Sequence, residues 1–63
     1  MMLDCVIVDD EYLAIKVLEE YVAQNKNLNM VKAFRKPEEA LVFLQSHTID
    51  LLFLDIQMPH IDG

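Results

Sequence analysis

The sequence predicts an α/β fold in which three parallel strands alternate with two helices in an open sheet. Three observations carry that prediction. Two short runs, Val6-Ile7-Val8 and Leu51-Leu52-Phe53-Leu54, are apolar without alternation, the mark of strands buried on both faces of a parallel sheet. Helical periodicity fills both gaps between strands, and helical crossovers make successive strands parallel and right-handed. Both runs end on carboxylates, Asp9-Asp10 and Asp55. Open α/β sheets place their chemistry outside the carboxyl ends of the strands, where the winding reverses.

The first strand reads from Leu3 to Val8, and its β-branched residues suit a central position. A helix is expected over roughly 11 to 24. Ala14, Val17, Leu18, Tyr21 and Val22 form one apolar stripe, and Lys16, Glu19, Glu20 and Gln24 lie off it. Asn25-Lys26-Asn27 is a polar stop, with an asparagine expected in the αL cap. Leu28 to Phe34 reads as a less apolar strand with Asn29 and Lys32 exposed, which suits a sheet edge.

Pro37 fits the first position of a second helix, and Glu38 and Glu39 favour its positive end. Ala40, Leu41 and Leu44, joined by Phe43, are its expected buried face, and it runs to about Ser46. His47-Thr48 leads to the third strand, which stops at Asp55. Pro59 then pushes Met58 into an extended or turn conformation, and Asp62-Gly63 is a further turn signal. The third strand is as apolar as the first, which predicts a neighbour on each side.

The chain has 63 residues, 54% of them hydrophobic and 25% charged. A chain of that size buries only about 60% of the surface its unfolded form exposes, so it is marginal alone. Its lone cysteine, Cys5, sits in an apolar run. It reads as a buried, inert thiol in a reducing compartment. No basic segment precedes an apolar one as in a signal peptide, and no apolar run could span a membrane. A cytoplasmic location follows. The net charge of −6, from 11 acidic and 5 basic residues, argues against nucleic-acid binding by this segment, which needs cations on phosphates. Lys32, Arg35 and Lys36 cluster, and read as a solvated edge.

If the first and third strands are neighbours, Asp9, Asp10 and Asp55 converge on one edge. At an effective dielectric of about 20, two unit charges 4 Å apart repel by roughly 4 kcal/mol. Protonation or a bound cation relieves this. Hard oxygen donors without His or Cys favour Mg²⁺. A carboxylate beside such an ion can attack phosphorus and form an aspartyl phosphate. Simpler readings exist for each part. Asp-Asp-Glu before a helix can be an N-cap with dipole-favoured charge, and Asp55 can be a turn residue. His47 and His60 show no zinc spacing with Cys5 and read as surface residues.

Val6-Ile7-Val8-Asp9-Asp10-Glu11 and Asp50-Leu51-Leu52-Phe53-Leu54-Asp55-Ile56-Gln57-Met58-Pro59, closing with Asp62-Gly63, resemble the receiver domain of two-component response regulators. The resemblance runs through the whole chain in spacing and element order. It implies a flavodoxin-like, doubly wound fold with strand order 2-1-3, of which residues 1–63 are the N-terminal half, truncated before strand four. It implies that Asp55 is the phosphoacceptor. Asp10 and Asp55 would ligate Mg²⁺ by side chain, Gln57 by its backbone carbonyl, and Asp9 through a metal-bound water. The phosphoryl donor would be a histidine kinase or a phosphotransfer protein.

The start of the chain is most similar to receivers that carry a LytTR-type DNA-binding domain. That implies a transcriptional output through a C-terminal domain. The Thr or Ser and the Lys that follow the phosphoryl group in the family lie in its second half, and no residue here matches them.

Two rival functions stand beside this regulatory, non-enzymatic one. A haloacid-dehalogenase-type phosphatase also puts a nucleophilic Asp after a buried strand, but it needs a second Asp two positions later. That position is Gln57, which cannot titrate. Alternatively the chain is a self-associating module, a homo-oligomer paired through the apolar edge of the third strand.

Overall fold

In the computed structural model, residues 1–55 are described, the side chain of Asp55 excepted. The expectations for Gln57, Met58-Pro59, His60 and Asp62-Gly63 lie outside the described residues. The element order is β1 (Leu3–Asp9), α1 (Tyr12–Gln24), β2 (Leu28–Phe34), α2 (Pro37–Ser46) and β3 (Leu51–Asp55). The strands are parallel in the order β2-β1-β3, as expected from the sequence. β1 takes in Asp9, one residue more than the apolar run predicts, because Asp9 is still in register with Asp55 of β3.

The chain steps from β1 to one side, then back across β1 to the other. Two right-handed crossovers in opposite directions place their helices on opposite faces of the sheet. Val6 and Val8 of β1 pack with Phe34 and Ala40, and Phe43 and Ile49 close over them. Alternation along the strand sends Cys5, Ile7 and Asp9 to the other face, that of α1. There α1 contributes its buried Ile15 and Val22. Burial pushes the Cys5 thiol above its ordinary pKa of 9.0, in keeping with the inert role expected of it.

Three local expectations need correction. The buried stripe of α1 is centred on Ile15 and Val22, with Ala14 and Leu18 partly covered. Val17 and Tyr21 point away from the sheet, 66% and 58% exposed. Val17 and Tyr21 belong with Leu13 at i, i+4, i+8, so the helix carries two apolar stripes and periodicity alone chose between them wrongly. On α2, Ala40 is buried and Phe43 and Leu44 are half-buried, but Leu41 is 62% exposed. A ten-residue helix buries a narrow stripe, and Leu41 falls beside it.

Asn25 ends α1 in an extended conformation (φ −105°), and no non-glycine residue among those described has positive φ. Its N–H donates to the Val22 carbonyl at 3.0 Å, and its side-chain oxygen accepts from the Asn27 N–H at 3.0 Å. That side-chain turn stands in for the αL cap.

β2 is an edge strand, with Asn29 and Lys32 exposed as predicted. Its register slips by one between Cys5 and Val6 of β1, passing over Val31. At the amino edge of the sheet, Asp50 clamps β3 onto β1. Its carboxylate accepts from the Asp4 N–H, and its own N–H donates to the Asp4 carbonyl, each at 2.9 Å. The Asn29 amide donates to the Asp4 carboxylate at 3.0 Å, so one polar clasp ties three chain segments together. This clasp fixes the register that sets Asp55 opposite Asp9. No helix among the described residues is long and apolar enough to cross a membrane.

Candidate functional site

Asp9 is the most buried charged residue described, 2% exposed. β1 delivers it to the carboxyl edge on the α1 side. One oxygen, Oδ1, accepts the Glu11 N–H at 2.9 Å. The other, Oδ2, is buried with no hydrogen-bond partner. A buried carboxylate oxygen left unpaired is costly. A cation or a strong donor at this edge removes the cost, so the residue fits the metal role expected of it.

Asp55 ends β3 directly beside Asp9, the two being partners in the parallel register. Neighbouring strands lie about 4.8 Å apart, so the two residues share one edge position. Asp10 follows in the bend after β1 and is exposed. The edge therefore brings together the backbone positions of all three expected carboxylates. Gln57, the fourth expected ligand, lies outside the described residues. Among the described residues, no three His, Cys, Asp or Glu groups form a metal cluster; the site is built from Asp9 and Asp10 up to the edge where Asp55 begins.

The capping explanation of Asp-Asp-Glu holds for the place of Glu11 but not for Asp9 and Asp10, and not as a side-chain cap. Glu11 occupies the N-cap of α1 with no side-chain capping bond, and no acidic residue lies in the first turn. Asp9 instead bridges strand and helix across the turn, and Asp10 is free of the helix. His47 is exposed as expected, its ring stacked on Phe43 at 3.8 Å.

Lys32, Arg35 and Lys36 are exposed, as a solvated edge should be, but their place beside the carboxylates was not legible in the sequence pattern alone. Arg35 and Lys36 follow β2, and the carboxyl end of a parallel strand lies on the same edge as those of its neighbours. The Arg35 guanidinium donates to the Asp10 carbonyl at 3.5 Å. A hollow of about 610 Å³ is lined by Asp10, Lys32, Phe34, Arg35, Lys36 and Glu39 among others. The signal was present in the strand direction, which turns a residue's place in the chain into a place on the edge.

Residues 5–63 match the response regulator receiver domain. The chain belongs to that family. Within it, this receiver domain is 36% identical over 58 residues to the transcriptional regulatory protein YpdB of Escherichia coli (strain K12), covering 92% of this chain and 24% of that protein. It is 37% identical over 62 residues to an uncharacterized response regulatory protein of Shewanella oneidensis, covering 98% of this chain and 26% of that protein. It is 34% identical over 62 residues to protein-glutamate methylesterase/protein-glutamine glutaminase 2 of Nitratidesulfovibrio vulgaris, covering 98% of this chain and 17% of that protein. The chain thus spans about a quarter or less of the length of these relatives. No solved structure gives a significant match.

Proposed function

We propose that this receiver domain accepts a phosphoryl group on Asp55 in two-component signalling, with a histidine kinase or phosphotransfer protein as donor. The observation that carries the reading is the pairing of Asp55 with Asp9 at one sheet edge, where Asp9 keeps a buried, unpartnered oxygen. An Asp55 oxygen attacks phosphorus, a new O–P bond forms, and the P–N bond to the donor's imidazole breaks with its electron pair leaving on nitrogen. Asp9, Asp10, Asp55 and the backbone carbonyl of Gln57 would hold Mg²⁺. When bound, that ion offsets the charge of the phosphoryl group as it approaches a carboxylate.

The role of the chain's own groups is positional. The Asp4–Asp50 clasp sets the register, the Asp9–Glu11 bond holds the turn, and β1 places the buried Asp9 carboxyl group at the edge. A regulatory rather than enzymatic role, a cytoplasmic location, and a transcriptional output through a further domain complete the reading. The name of the YpdB relative supports that output.

Titrating Mg²⁺ into the full-length protein carrying this chain tests the metal half of the reading. Amide resonances of Asp10, Asp55 and Gln57 should move, with half-saturation in the millimolar range expected of a site with few protein ligands, roughly. Asp10→Ala should weaken the binding. Unmoved resonances in a folded sample would count against the site.

A second reading rests on a separate observation. Val8, Pro37, Ala40, Leu41, Leu52 and Leu54 surround an apolar hollow of about 190 Å³ between α2 and β3. Leu52 and Leu54 are exposed there. Among the described residues β3 pairs on one edge only. A second copy pairing along β3 would cover both features through a symmetric contact. Sedimentation of the chain at micromolar concentration should then show a dimer, and a strictly monomeric, folded chain would sink this reading.

A further inference from the structure

The same edge carries a feature that the phosphoacceptor reading does not use. Three of the five basic residues of this acidic chain, Lys32, Arg35 and Lys36, line one hollow together with two carboxylate residues, Asp10 and Glu39. Lys32 is committed elsewhere, its ammonium lying 5.2 Å from the centre of the Phe34 ring and 5.8 Å from that of Phe43. Arg35 and Lys36 are exposed, and among the described residues neither forms an ion pair. Two unpaired cations therefore rim a hollow whose floor includes the buried Phe34.

Register places this rim relative to Asp55. Phe34 of β2 and Leu54 of β3 both pair with Val8 of β1. Arg35 follows Phe34, and Asp55 follows Leu54. The two therefore flank Asp9 from opposite sides, separated by two strand spacings, roughly 10 Å. An extended arginine covers most of that span. Its planar, always charged guanidinium suits a phosphoryl dianion better than any other side chain does. A dianion arriving at an edge of three carboxylates meets repulsion from Asp9, Asp10 and Asp55. Among the described residues, Arg35 and Lys36 are the positive charges that follow β2 at that edge.

We propose that this hollow is an anion subsite that receives the phosphoryl dianion of the donor before transfer, with Arg35 as the residue that positions it and Lys36 in support. The inference rests on Asp55 being the acceptor. Its ligand is defined by chemistry, a phosphoryl group on oxygen or on an imidazole nitrogen. Acyl phosphates and phosphoimidazole represent the two sources.

Two measurements on the full-length protein carrying this chain test it. The first uses inorganic phosphate alone, so it does not depend on transfer. The amide resonances of Arg35, Lys36 and Asp10 should shift on titration in the wild type, less so in Arg35→Ala, and the shifts should shrink with added salt. No shift at these residues overturns the subsite. The second measures Asp55 modification against the concentration of acyl phosphate and of phosphoimidazole at saturating Mg²⁺. Arg35→Ala should raise the half-saturating concentration roughly fivefold, the scale of an exposed ion pair, and leave the maximal rate unchanged.

Arg35→Lys should recover part of the loss. An effect with acyl phosphate alone assigns the subsite to small donors, and an effect with both assigns it to the phosphoryl group itself. A lower maximal rate with unchanged half-saturation means that Arg35 only braces the Asp10 turn, and it overturns the proposal. Wild-type modification that disappears in Asp55→Asn keeps the acceptor reading standing whatever Arg35→Ala does.

Discussion

Replacing Asp55 with asparagine should reduce phosphoryl incorporation to background, a loss of several orders of magnitude, on the scale seen when a nucleophile is removed from any such site. The amide is nearly the same size as the carboxylate but is a poor nucleophile at phosphorus. It also removes one of three negative charges crowded at the edge, so the folded state should be retained or slightly favoured. That separates loss of chemistry from loss of structure. Asp9→Asn is the contrasting variant. It leaves the acceptor in place and should weaken Mg²⁺ binding by roughly 10–100-fold, as removal of an outer partner of a metal site does. Intact mass after exposure to a phosphodonor and Mg²⁺ reads both. A phosphate mass shift that persists in Asp55→Asn would falsify the assignment of the acceptor.

The fold was legible because its signals are strong and mutually consistent. Unbroken apolar runs at Val6-Ile7-Val8 and Leu51–Leu54, helical spacing between them, and Pro37 at the first turn of α2 agree on one topology. The element bounds fell within a residue or two of those observed. What failed was the choice of face. α1 carries apolar residues on more than half its circumference, from Leu13 through Ile15, Val17, Leu18, Tyr21 and Val22. A period identifies a helix, but the sheet decides which stripe is covered. The slip of register at Val31 was also silent in sequence, since nothing in Leu28–Phe34 departs from an ordinary strand.

The site was half legible. A carboxylate after each of two buried strands announces an acidic edge once strand order is fixed, and the register of Asp9 with Asp55 is the expected result. The burial of Asp9 and its orphaned oxygen were not legible, because they depend on how the turn after β1 folds back to Glu11. Lys32, Arg35 and Lys36 read as a solvated edge beside a helix start, and Arg35 is exposed; only the parallel direction of β2 puts it on the same edge as Asp10. The Asp4–Asn29–Asp50 clasp is of the same kind. Three unremarkable polar residues acquire a role from register, and register is a property of the assembled sheet.

The second large effect is expected in the core. Ile7 is fully buried at the centre of β1, flanked by Ala33 on β2 and Phe53 on β3. Ile7→Ala should cost roughly 2–5 kcal/mol, from lost transfer energy and the cavity left behind. Native proteins have only about 5–15 kcal/mol of net stability in all, so that one side chain carries a large share of it. Leu54 makes the informative comparison. It is one of the four large apolar residues that identified β3, yet it is 55% exposed.

Full burial of a leucine contributes about 1.5–3 kcal/mol, so Leu54→Ala should cost about 1 kcal/mol or less. Urea denaturation of both variants, followed by circular dichroism, checks the ratio. A loss at Leu54 as large as that at Ile7 would mean that the outer face of β3 is covered under the conditions of the assay. Sedimentation of the same samples then identifies the cover. A dimer that dissociates in Leu54→Ala points to a second copy along β3, whereas an unchanged monomer points to residues of the same polypeptide chain.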